Sequence, residues 1–322
     1  MDLNSMNILI YGCGAVGLGI ASCLLKAGDV NFSLLARPKT VENLRKYGLV
    51  RTGIFGIFTA EPHRFKVASN LKELSNRQYD FILVCTKCYD TDAAALELSG
   101  YPQLLSPKGV IVLFQNGWGN AEFFIARFPK EKVYSARVIT GFTRLEPHHV
   151  DITVHADAIH IGSLFSNPLS IVKPLAGLIN AGGIPCITTL DVEKDLWAKM
   201  LYNCALNPLG AILDVPYGAL ADSTDTRLIM DTIIEEIYAA MKAAGYCTHW
   251  KTAGEYKEVF YSKLVPPTAL HRSSTLQDLQ AGRKTEIDGL TGQILKLAEI
   301  YKLCVPCNTI VYRLIQFLQH KK

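Results

Sequence analysis

Lys199, Asn203 and Asn207 recur at every fourth position of DLWAKMLYNCALNPLG, residues 195–210, among Leu196, Met200, Leu201, Ala205 and Leu206. A step of four residues turns an α-helix by about 400°, so the three share one face and spread over about 12 Å of its length. Burying an unpaired amide costs on the order of 1–3 kcal/mol, and an unpaired ammonium costs more. The stripe must therefore face a polar cavity, or each member must be satisfied by a neighbouring loop or by solvent. The first alternative defines a chemistry. A carbonyl carbon that receives a hydride leaves an alkoxide, which must be protonated or paired, and an ammonium partly withdrawn from water can supply the proton. Two carboxamides on the same face can donate and accept hydrogen bonds to a hydroxylated substrate. Pro208, directly after Asn207, is expected to interrupt or kink the helix and leave carbonyls free beside the site.

A hydride needs a donor, and the N-terminal region suggests one. Gly12-Cys13-Gly14-Ala15-Val16-Gly17 reads G-x-G-x-x-G between an apolar run, NILIYG (7–12), and a helical segment, AVGLGIASCLLKA (15–27), with Gly28 placed to end the helix. The first glycine permits the tight turn, the second lets backbone approach a pyrophosphate, and the third lets strand and helix pack closely; the helix N-terminus then holds the negative charge. Sites for NAD usually place a carboxylate about twenty residues on, to accept the ribose hydroxyls. Here Arg37 stands there, followed by Pro38 and Lys39, with no carboxylate before Glu42. A guanidinium suits a 2′-phosphate, which favours NADPH over NADH, although Arg37 could also be a solvated loop residue. Lys87, at the end of YDFILVCTK (79–87), opens on the same carboxyl edge and adds a second candidate cation.

The elements that must position these groups follow from periodicity. After NILIYG come FSLLAR (32–37), YDFILVCTK, GVIVLFQNG (109–117) and VYSARVITG (133–141), separated by helical or loop segments, which implies a doubly wound α/β sheet. VDITVHADAIHIG (150–162) alternates differently and reads as a late antiparallel addition at one edge. Beyond residue 189 strand signals give way to helical spacing over 191–213, 224–245, 274–302 and 307–320. The expected organisation is a Rossmann-type nucleotide-binding domain over residues 1–189, then an all-helical substrate-binding and catalytic domain over 190–322.

Bulk properties narrow the classes. With 322 residues, 49% hydrophobic and 19% charged, the chain can fill two globular cores. A net charge of +4 without a clustered basic stripe suits a small anionic ligand and argues against nucleic acid. No run approaches 18 apolar residues, so no membrane span is expected, and the N-terminus lacks the basic segment of a secretory signal. Nine cysteines, an odd number scattered through apolar segments, point to reduced thiols and a cytoplasmic location. Cys85/Cys88 and Cys304/Cys307 form two C-x-x-C pairs too far apart in sequence for an ordinary zinc site, and His148, His149, His155 and His160 read as surface or core residues; no metal is expected.

Together these motifs resemble the ketopantoate reductase family. The resemblance is carried by W-x-K-x-x-x-N-x-x-x-N-P-L from Trp197 to Leu209, by Ser273-Ser274-Thr275-Leu276-Gln277-Asp278 and by Thr285-Glu286-Ile287-Asp288. The glycine loop, Lys87, the Gln115-Asn116-Gly117 turn and Val305-Pro306-x-Asn308-Thr309 belong to it too, and the motifs span nearly the whole chain in order. It implies a helical domain like the C-terminal one of 6-phosphogluconate dehydrogenases. It also implies NADPH-dependent reduction of 2-dehydropantoate (ketopantoate) to (R)-pantoate, in pantothenate and coenzyme A biosynthesis, by a monomer or homodimer. Carried over, Lys199 is the general acid and Glu286 engages the substrate or the lysine network. Asn203, Asn207 and Ser274 bind the substrate's oxygens, and Asn116 lies between nicotinamide and substrate. Gly12 to Gly17, Arg37 and Lys87 hold the nucleotide, with Asn116 and Glu286 counted among the cofactor contacts.

Read without the family, Ser274 could be a helix N-cap, Glu286 an acid on a solvated helix face and Asn116 a turn former. A reductase of another branched 2-oxo acid is the enzymatic alternative, and a non-catalytic NADP-binding regulator the alternative of another class. Cys13 occupies a variable position of the phosphate loop. HADAIHIGS (155–163) lacks the glycine spacing usual in relatives.

Overall fold

A computed structural model describes residues 6–28 and 30–321. The chain divides into two compact units, one of residues 1–115 and 120–192, the other of residues 116–119 and 193–322.

The first unit runs β1 (Asn7–Tyr11), α1 (Ala15–Ala27), β2 (Asn31–Leu35), α2 (Pro38–Tyr47), β3 (Leu49–Gly53), β4 (Phe58–Ala60), β5 (Lys66–Ala68), β6 (Tyr79–Val84), α3 (Thr91–Ser99) and β7 (Leu105–Leu113). It continues with α4 (Asn120–Ile125), β8 (Val133–Arg137), β9 (Thr140–Glu146), β10 (His149–His155), β11 (Ile159–Gly162), α5 (Lys173–Ala181) and β12 (Cys186–Thr188). Eight strands form one sheet in the order β12-β11-β8-β7-β6-β1-β2-β5. Six of them, from β8 to β5, are parallel, as strand-helix alternation requires. Both faces of this sheet are covered, and the alternation within each strand shows it. Ile8 and Ile10 join one core with Leu18, Leu24 and Ile179, while Leu9 and Tyr11 join the opposite core with Ala95, Leu98 and Phe124. Near-continuous apolar strands are the consequence of that double burial.

Two expectations about the later strands need correction. VYSARVITG is not one strand: it splits into β8, in the large sheet, and β9, in a second sheet of order β4-β3-β10-β9. VDITVHADAIHIG splits likewise. β10 pairs antiparallel with β9 and parallel with β3, whereas β11 returns to the large sheet antiparallel to β8 and parallel to β12. It forms no hairpin, and β11 is not the sheet edge. Local alternation reports a half-buried strand but not its partner, and here partners were chosen by packing: the small sheet lies over α1, with Phe142 close to Gly19.

The second unit contains α6 (Val192–Leu213), α7 (Tyr217–Asp222), α8 (Thr224–Ala243), α9 (Ala253–Val259), α10 (Ser274–Gln280), α11 (Thr291–Tyr301) and α12 (Pro306–His320). The helical stretch expected over 274–302 is broken into α10, a 3-10 turn at Ile287–Gly289, and α11. That break leaves Glu286 at the entrance of a turn instead of on a helix face. α6, in contrast, is not interrupted at Pro208. The missing N–H costs one intrahelical bond, to the carbonyl of Cys204, and flanking buried residues from Cys204 to Leu209 hold the helix on either side. None of the described helices is long and apolar enough to cross a membrane.

Candidate active site

The first unit builds a nucleotide cradle at the carboxyl ends of its strands. β1 ends at Tyr11, and Gly12 turns the chain at a φ of 102°. A Cβ on Gly17 would stand 2.1 Å from the carbonyl oxygen of Gly12, so only glycine lets α1 begin this close to the loop. Gly14 is the N-cap of α1 and supplies no side-chain cap, while the space beside it holds no atom within 4 Å of a would-be Cβ. An open glycine face before an uncapped thirteen-residue helix fits a pyrophosphate, whose oxygens would meet the unsatisfied amides of the first turn. Cys13 is buried within this loop; its thiol donates to Leu35 O at 3.5 Å, and burial pushes its pKa up to about 12 against the opposing pull of Arg144. It is a packed side chain, not a reactive thiolate.

Arg37 follows β2 and is the N-cap residue of α2; its side chain is 87% exposed and lies 4.0 Å from Asp90. Lys87 follows β6 as the N-cap residue of a 3-10 turn, Cys88–Asp90. Both cations therefore stand at the strand ends where the cradle opens. Gln115, after β7, ties this edge together: its Nε2 donates to Thr86 Oγ1 at 3.0 Å and Thr91 Oγ1 at 2.8 Å. Its Oε1 is buried with no hydrogen-bond partner among the described residues. Gln115 was visible only as part of a turn.

The second unit gathers the proton-transfer candidates. Gly117, at a φ of 91°, packs its Cα where any side chain would strike the carbonyl of Gly289, and Trp118 N–H donates to that same carbonyl at 3.0 Å. The segment 116–119 is thereby docked on the turn that follows Glu286. Asn116 Nδ2 donates to Glu286 Oε2 at 3.3 Å, and Lys199 Nζ donates to Asn116 Oδ1. Chemistry dictates the orientation of this amide, since an ammonium only donates and a carboxylate only accepts. Glu286 is buried, at 7% exposure, which removes the solvated-face reading. Aromatic rings pack against the segment that carries Asn116. Trp197, fully buried and two residues before Lys199, lies 4.7 Å from Trp118 and 5.5 Å from Tyr246, centroid to centroid.

Along the stripe, polarity is satisfied unevenly. Asn203 is half-buried, whereas Asn207 is buried and its Oδ1 accepts from Tyr217 Oη at 2.5 Å. That bond leaves the amide nitrogen of Asn207 as the side that can meet a ligand oxygen. Ser274 is not the cap of α10: Ser273 is, its Oγ accepting from Leu276 N at 3.0 Å, and Ser274 is exposed on the first turn. Asp195 extends the four-residue step one turn before Lys199; it is buried, and His249 Nε2 lies 2.7 Å from its Oδ1. The spacing would have revealed it, but its His249 partner could not be seen in sequence.

Comparison with known proteins now decides the family. Residues 8–165 match the profile described as ketopantoate reductase PanE/ApbA, and residues 191–319 match its C-terminal counterpart. A curated 2-dehydropantoate 2-reductase of Aquifex aeolicus is 35% identical over 312 residues, covering 97% of this chain and 96% of that protein. The chain belongs to the ketopantoate reductase family. Among solved structures, a PanE/ApbA family ketopantoate reductase from Ralstonia eutropha superposes with a TM-score of 0.85 at 28% identity, over 98% of this chain and 99% of that one. D-Mandelate dehydrogenase in complex with NADH and anilino(oxo)acetate has a TM-score of 0.86 at 20% identity, over 98% of this chain and 99% of that one, a likeness of fold alone.

Proposed function

We propose that the protein reduces 2-dehydropantoate to (R)-pantoate with NADPH, Lys199 acting as general acid. The observation that carries the mechanism is the continuous chain Lys199–Asn116–Glu286. NADPH, when bound, supplies the hydride. As negative charge develops on the carbonyl oxygen, Lys199 donates a proton to it and then regains one from solvent. Glu286 acts through Asn116: by accepting one amide N–H it holds the amide oxygen toward the ammonium, so the donor is oriented before substrate arrives. Asn207 donates to a substrate oxygen through its amide nitrogen, and Asn203 and the exposed Ser274 contribute further hydrogen bonds to the carboxylate and hydroxyl. The glycine loop from Gly12 to Gly17 receives the pyrophosphate, while Arg37 and Lys87 contact the adenosine ribose and its phosphate. Nine cysteines outside any disulfide among the described residues suit a reducing compartment, and we place the protein in the cytoplasm, as a monomer or homodimer acting on a small molecule.

The test is NADPH consumption by the purified protein with ketopantoate, compared with NADH and with a 2-oxo acid lacking the hydroxyl. Turnover confined to NADPH and ketopantoate is expected. Equal rates with the unhydroxylated acid would assign the asparagine stripe to a different substrate.

A further inference from the structure

Arg144 has no part in the reading above, yet it is held beside the nucleotide cradle. It projects from β9 onto the first turn of α2, where its Nη2 donates to Thr40 Oγ1 at 2.6 Å. The same nitrogen reaches Pro147 O at 3.2 Å, and Nε reaches Glu146 O at 3.3 Å. Thr40 is itself buried, and its N–H is bonded to Arg37 O at 2.8 Å. Arg144 is thus anchored to the turn that Arg37 begins. Burial lowers its pKa, the charge of Arg37 acts in the same direction, and the Cys13 thiol of the phosphate loop opposes both. Two segments distant in sequence, the start of α2 and β9, therefore meet at one guanidinium.

Arg37 and Arg144 carry like charges on the same turn, and these repel. The carboxylate nearest Arg37 is Asp90, at 4.0 Å between exposed side chains, a pairing worth little in water. An anion carrying nearly two charges and three acceptor oxygens would relieve the repulsion and satisfy both forks. Arg37 alone, almost wholly exposed, must lose much rotamer freedom to grip a phosphate, whereas Arg144 is already tied at three points.

We propose that Arg144 is a second specificity-determining residue for the nucleotide, contacting the same adenosine 2′-phosphate as Arg37. The inference rests on the NADPH reading. It is tested on the full-length protein without turnover, by calorimetric titration of 2′,5′-ADP and 5′-AMP against wild type, Arg37→Ala, Arg144→Gln and Arg144→Lys. Wild type should prefer 2′,5′-ADP. Arg144→Gln should lose about tenfold or more in affinity for 2′,5′-ADP, the scale of one charge-assisted contact, and change less than about twofold for 5′-AMP. The retained 5′-AMP binding also shows that the variant is folded. Arg144→Lys, with the charge but not the fork, should fall between the two. An Arg144→Gln protein that keeps the wild-type preference, or loses both ligands equally, overturns the inference alone. A wild type indifferent to the 2′-phosphate, with Arg37→Ala equally indifferent, overturns the NADPH reading and this inference with it.

Discussion

Replacing Lys199 by alanine removes a proton donor and a hydrogen bond at once, and the two losses can be separated. General acid catalysis by a positioned side chain contributes roughly 10²–10⁴ in rate. The bond from the ammonium to Asn116 Oδ1 is of the charged kind, worth about 1.5–3 kcal/mol, but it serves the same step as the proton transfer. Groups acting as one unit are not additive, so Lys199→Ala should lower kcat by about 10²–10⁴ and no more. Lys199→Arg supplies the control. A guanidinium can still donate to Asn116, yet it holds its proton too tightly to act as an acid near neutrality, so this variant should remain nearly as slow as alanine. The assay is steady-state NADPH oxidation at saturating substrate, paired with a fluorescence titration of NADPH. Binding should be unchanged within about twofold in both variants, because the residues assigned to the nucleotide, the glycine loop, Arg37 and Lys87, belong to the first unit and Lys199 to the second. A Lys199→Arg enzyme with near wild-type kcat would show that charge, not proton donation, is what Lys199 supplies. Loss of NADPH affinity in step with kcat would refute the role altogether.

Glu286→Gln keeps an acceptor for Asn116 Nδ2 but removes the charge, whereas Glu286→Ala removes this acceptor from a half-buried amide. Alanine should therefore cost about 1–3 kcal/mol in kcat/KM and glutamine distinctly less, read from steady-state kinetics; equal effects would place Glu286 elsewhere in the mechanism. Asn203→Ala should raise KM for the oxo acid more than it lowers kcat, and unchanged kinetics would remove Asn203 from the substrate site. Stability should fall above pH 9. The thiols of Cys13, Cys186 and Cys204 are pushed from 9.0 to about 12 by burial, so the unfolded chain releases protons that the folded chain retains. Their contribution is complete below pH 9 and is lost progressively from there toward pH 12. Thermal denaturation at pH 8 and pH 10 should show a lower Tm at the higher pH, and a Cys13→Ala, Cys186→Ala, Cys204→Ala variant should show a smaller difference.

Much of the molecule was legible in one dimension because the decisive signals are local. The glycine loop must turn between a strand and a helix, and α1 occupies the expected residues 15–27. The apolar runs of the central sheet are nearly continuous, as burial on both faces demands. The stripe of Lys199, Asn203 and Asn207 needs only the pitch of a helix. What the tertiary structure decided were the partners. Nothing in the chain order says that β9 and β10 form a second sheet in which β10 pairs with β3, or that Arg144 thereby reaches Thr40. Nor does helical spacing reveal that 274–302 breaks so that Glu286 enters a turn beneath Gly117 and meets Asn116. Periodicity reports which residues must be buried, because that depends on neighbours a few positions away. Which buried polar groups satisfy one another depends on segments a hundred or more positions apart, and only their packing in space brings Lys199, Asn116 and Glu286 into one chain.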